Sequence, residues 1–127
     1  MINNDLNKRL KQLNTEDKIW ILYIGIIIIS FYSNNLERKY FINNDYKSKK
    51  KYKTLTTLIF VILIIVYLYF LKDSIDSIRE LKPTDSNKKK ELVYLSFIGS
   101  LLIAISGFIF LYISIVDKNL TVEIAFN

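Results

Sequence analysis

LVYLSFIGSLLIAISGFIFLYISIV, residues 92–116, is the stretch whose reading decides the fold: twenty-five uncharged residues bounded by Glu91 and Asp117. As a helix rising about 1.5 Å per residue it reaches about 37 Å, enough to cross a hydrocarbon core of about 30 Å with some tilt. Stepping about 100° per residue gathers Ser96, Ser100, Ala104, Gly107 and Ser114 on one side, with Gly99 and Ser106 at its edge. The other side carries Tyr94, Phe97, Ile98, Leu101, Leu102, Ile105, Phe108, Ile109 and Tyr112. Lipid offers no hydrophobic drive for helices to pair, so a stripe of small residues that lets backbones approach is the expected packing face. The bulky side is expected to face lipid.

Two further apolar blocks stand upstream. Residues 19–36 and 54–71 are each eighteen uncharged residues, so the same argument predicts three membrane-spanning helices and an all-α integral membrane protein. A chain of 127 residues that is 51% apolar, in concentrated blocks, does not have the amphipathic spacing of a water-soluble core. Absence of Cys removes disulfides and thiolate metal sites. The formal charge of +6 comes from Lys and Arg crowded between the apolar blocks, a distribution that suits anionic headgroups rather than a nucleic-acid groove. The partners expected are therefore an anionic bilayer and other membrane proteins or further copies of this chain, and no nucleic acid.

Ahead of the first block, Leu6, Leu10 and Leu13 recur at helical spacing with Lys8, Arg9 and Lys11 on the other side. Residues 1–18 are read as an amphipathic segment on the membrane surface or as a disordered tail; the pattern leaves both open. Thr15, Glu16 and Asp17 resemble a helix start, with a hydroxyl cap and carboxylates in the first turn. A secretory signal peptide also places charges before an apolar core. Here no small-x-small cleavage site follows, and Trp20, Tyr23, Phe31 and Tyr32 bracket the block as interfacial anchors, which favours a retained span.

Residues 37–53 read as a connection that ends in KSKKKYK. Lys49, Lys50 and Lys51 are the candidate headgroup ligands there, with Lys47 and Lys53 beside them; a topology signal in a solvated linker is the plainer alternative. Past residue 71, Ile75, Ile78 and Leu81 keep helical spacing up to Pro83, which predicts that the second helix extends beyond the bilayer. Asp73, Asp76 and Glu80 interleave with Lys72, Arg79 and Lys82 as surface ion pairs do, not as a cation site. Asp85 or Ser86 can cap the third helix. Lys88, Lys89 and Lys90 then fall in a first turn where the macrodipole disfavours them, so they are assigned to lipid phosphate. Residues 117–127 form a tail in which Leu120, Val122, Ile124 and Phe126 alternate with polar or small residues as in a strand.

Three crossings place the termini on opposite sides. Ten Lys and Arg then lie on the N-terminal side and eight on the other, a small margin for an N-terminus inside. None of the three blocks contains Asp, Glu, Lys, Arg or His, and ion-coupled transporters place such groups in their spans. Without His, Cys, catalytically spaced carboxylates or a glycine-rich phosphate loop, neither an enzyme nor a cofactor is expected. The span serines are expected to make modest interhelical hydrogen bonds.

The strings DKIWILYIGIIIISFYS, LKPTDSNKKKELVYLSFIGSLLIAISGFIFLYISIVD and VEIAFN resemble small uncharacterised multi-span membrane proteins of nucleocytoplasmic large DNA viruses. The likeness covers most of the chain and lies in layout and composition. It implies a structural protein of the virion's internal membrane or of host-derived assembly membranes. The sequence thus predicts a non-enzymatic scaffold or assembly subunit in a membrane complex. A holin-like pore is the alternative.

Overall fold

The computed structural model describes residues 2–122, and within them the regular structure is entirely α-helical, without a strand. Helix α1 spans Ile2–Asn43, α2 Tyr46–Arg79 and α3 Asn87–Val116. All three are long and apolar enough to cross a membrane. The strand-like alternation of the tail falls largely on residues 123–127, outside the described residues; Leu120 to Val122 form no strand. Residues 1–52 and 53–127 make two compact units.

In the first unit, α1 is unbroken where Thr15, Glu16 and Asp17 had suggested a new start. The Thr15 hydroxyl donates to the Lys11 carbonyl one turn back, 3.1 Å away, instead of capping. No Gly or Pro interrupts residues 2–18, so nothing local stops the helix before the apolar block begins. The expected connection over residues 37–53 is also almost wholly helical and shrinks to Asn44 and Asp45. Asn44 takes the left-handed conformation, φ 52°, that ends many helices and that Asn tolerates better than most residues. Asp45 then starts α2: its carboxylate accepts from the backbone N–H groups of Lys47 and Ser48 and from the Ser48 hydroxyl at 2.9 Å. The Ser48 hydroxyl and these amides hold the Asp45 carboxyl below its usual pKa. Tyr40 and Tyr46 pack at 5.9 Å across this corner, and the Lys49 ammonium lies 5.1 Å from the Tyr40 ring centre.

The second unit is an antiparallel hairpin of α2 and α3. Phe60 meets Phe110 with ring centres 5.9 Å apart, Ile64 and Tyr67 flank Gly107, and Lys53 reaches Asp117. Helix α2 continues past its apolar block through Arg79 and stops before Pro83, whose ring cannot enter a helix interior. A tight turn follows, in which Asp85 accepts from the Lys82 N–H at 2.8 Å; this bond holds the Asp85 carboxyl below its usual pKa. Ser86 is the N-cap of α3, accepting from the Lys89 N–H at 3.1 Å. At the other end, the Asp117 carboxylate accepts from the N–H groups of Thr121 and Val122 and from the Thr121 hydroxyl. That turn holds Leu120 at φ 53°, a conformation a leucine rarely adopts without such support.

The Val122 and Thr121 amides lower the Asp117 pKa, so this carboxyl sets a pH response. A depressed carboxyl contributes its stabilisation fully above the unfolded value of 3.8 and loses it as pH falls through the lower folded value. The amide exchange protection of Thr121 and Val122 is therefore expected to be constant at neutral pH and to collapse only in acid. A change near pH 6 would contradict this assignment.

Candidate packing face and lysine clusters

The small-residue stripe of α3 does not meet a neighbour uniformly. Ala104, Gly107 and Ser114 are buried and Ser100 is half-buried, whereas Ser96 and Gly99 are exposed. A Cβ built on Gly107 would stand 3.0 Å from Tyr67 Cδ2 and 3.1 Å from Ile64 Cγ1. At Gly99 nothing lies within 4 Å. A side chain at 107 would thus press on Tyr67 and Ile64 of α2, and one at 99 would not. On the bulky side, Phe97 and Leu101 are half-buried, while Tyr94, Ile98, Leu102, Ile105, Phe108, Ile109 and Tyr112 are exposed.

Three serines of the apolar blocks bond within their own helices, while the buried Ser33 hydroxyl has no partner. Ser30 donates to the Ile26 carbonyl, Ser106 to Leu102 and Ser114 to Leu111, at 2.8–2.9 Å. The interhelical bonds expected from the sequence are replaced at these positions by bonds to the preceding turn, which a short hydroxyl side chain reaches without any partner.

The lysines are less free than a charge run implies. Lys49 rests over Tyr40, and Lys50 and Lys51 are exposed on the first turns of α2. Lys88 pairs with Glu91 at 3.9 Å and Lys89 with Asp85 at 3.3 Å, both on the surface, where such pairs contribute little. The Lys90 ammonium lies 3.4 Å from the Pro83 carbonyl.

Lys53 has a different role from its neighbours. Its ammonium donates to the Asp117 carbonyl at 2.9 Å, so a cation from α2 serves the C-terminal end of α3, where the helix leaves unpaired carbonyls and partial negative charge. The residue was visible in the sequence only as the last member of a basic cluster. The signal that singles it out is its position at the very edge of one apolar block, level with the edge of another. Lys53→Met is expected to cost about 1 kcal/mol in hairpin stability, because water can take over part of the bond. Amide exchange at Ile113 to Val116 reads the effect, and unchanged protection there would remove this role from Lys53.

Among the described residues no group of three or more Asp, Glu, His or Cys side chains is placed to hold a metal ion. Over the described residues the architecture is thus three helices long and apolar enough to cross a membrane. Neither family models, nor curated proteins, nor solved structures give a match to it.

Proposed function

We propose that this chain is a three-span integral membrane protein without catalytic activity, acting by packing as a structural or assembly component of a membrane complex. The observation that carries the reading is the outward surface of each helix. Ile21, Ile24, Ile28 and Phe31 on α1, Leu58, Val61 and Ile65 on α2, and Leu102, Ile105, Ile109 and Tyr112 on α3 are all exposed. Only 17–33% of each apolar window is buried within the chain. A water-soluble monomer does not leave such bands uncovered, whereas lipid or neighbouring spans would cover them. On this reading residues 72–79 carry α2 beyond the hydrocarbon region, and Lys49, Lys50, Lys51, Lys88, Lys89 and Lys90 lie at headgroup level. The resemblance to multi-span proteins of large DNA viruses extends the proposal to a virion internal membrane or a host assembly membrane.

Alkaline carbonate treatment followed by crosslinking in native membranes tests it. The chain is expected to stay in the membrane pellet and to be captured as oligomers or with other membrane proteins. Release into the soluble fraction would end the membrane reading. Recovery solely as a monomer would end the assembly reading, and rapid loss of membrane potential on expression would replace it with a pore.

A further inference from the structure

We propose that the turn end of the α2–α3 hairpin holds one anionic phospholipid in an open surface groove. The inference rests on the membrane reading above and adds a ligand and a place to it. The groove measures about 450 Å³ and is formed by the end of α2, at Ser77, and the first turns of α3. Volumes of about 300–1,000 Å³ are usual for small-molecule sites.

Its position follows from the register of the two helices. Where Lys53 bonds Asp117, the apolar blocks of α2 and α3 end level with each other. From that common edge the α2 block runs 18 residues and the α3 block 25. The α3 block therefore overhangs by about 10 Å, and its first residues lie beside the charged extension of α2. The groove sits in this overhang, with Ser77 of α2 facing Val93 and Ser96 of α3. One wall belongs to a helix already past its apolar block, and the other to a helix just entering its own. That combination places the groove at the boundary between headgroups and acyl chains.

Its lining is ordered in the same sense. Ser86, Lys88 and Lys89 stand at the outer end, and Leu92, Val93 and Ser96 follow toward the hydrocarbon. The rise from Lys88 to Ser96 is about 12 Å, the span from a phosphate to the upper methylenes of a lipid. The two lysines of the lining pair with Glu91 and Asp85 on the surface, where such pairs are weak, so an anionic ligand can compete for both. The ammonium groups of Lys88 and Lys89 remain accessible, with side chains 73% and 57% exposed. An anionic phosphodiester at the mouth and an acyl chain along Leu92 and Val93 match both ends of the groove. A soluble phosphate would use only one.

Full-length protein reconstituted in nanodiscs of phosphatidylcholine with a minor share of phosphatidylglycerol provides the test, with retained lipid counted by native mass spectrometry after mild extraction. The wild-type chain is expected to keep phosphatidylglycerol preferentially. Lys88→Gln with Lys89→Gln is expected to lower that preference by about fivefold per lysine. Lys39→Gln with Lys118→Gln, equal in charge but outside the groove lining, is expected to leave it unchanged. Ser96→Trp keeps every charge and fills the inner end of the groove, and is expected to lower retention as well. Equal losses from the two lysine pairs would reduce the effect to diffuse attraction and overturn the site. So would wild-type retention in Ser96→Trp, or the absence of any preference in the wild type. A chain that does not enter nanodiscs at all would overturn the membrane reading and the site with it.

Discussion

Gly107→Leu is expected to open the α2–α3 hairpin, while Gly99→Leu leaves it closed. At position 107 the first added carbon would already lie 3.0 Å from the Tyr67 ring and 3.1 Å from Ile64, and leucine adds three more carbons to that contact. Overpacking of this kind costs about 1–3 kcal/mol, and relief here requires α2 and α3 to move apart. At position 99 the same side chain enters open space, and the change should stay within about 0.5 kcal/mol. The chain has no cysteine, so spin labels introduced at Thr54→Cys and Lys118→Cys, exposed positions beside the Lys53–Asp117 contact, report the hairpin alone. The label separation should be narrowly distributed in the parent and with Gly99→Leu, and should lengthen and broaden with Gly107→Leu. Equal behaviour of the two leucine variants would remove the close approach at Gly107 as the reason for its glycine.

The largest effect is expected from Ile28→Lys. Ile28 lies in the middle of the first apolar block and is 64% exposed. If that surface faces lipid, exchanging isoleucine for an ammonium at the centre of a span costs about 3 kcal/mol in insertion. The first block is also the least able to absorb this cost, because its far end, SFYSNN, is already polar. Three crossings then become two. Reporters fused to the two termini are expected on opposite sides of the membrane in the parent and on the same side in the variant. If α1 instead faced water, the substitution would be neutral or would improve solubility, and the reporters would not change relation.

The number and kind of the helices were legible in the residues, since three blocks of 18, 18 and 25 uncharged residues leave little else to form. Their ends were not. A rule that equates a helix with its apolar block stops α1 at residue 36, yet Glu37 to Asn43 are helical because no Gly or Pro intervenes. The signal that marks the real turn is short: Asn44 in a left-handed conformation, then Asp45 with Ser48 three residues on. Asp85 and Ser86 were both recognisable as capping residues. Their division of labour, one closing the turn and the other capping α3, depends on turn geometry.

By itself the sequence determined that this chain has three helical segments of bilayer length, with its charges confined between and beyond them. Run length and the energetic cost of a charge in hydrocarbon require nothing more than composition along the chain. What only the tertiary structure decided is which members of a face touch anything. A helical period defines the stripe from Ser96 to Ser114, but the approach of Tyr67 and Ile64 distinguishes Gly107 from Gly99. In the same way Lys53 differs from the lysines beside it because the end of α3 lies within its reach. Both distinctions come from the register of two helices, a relation between residues far apart in the chain that no local pattern encodes.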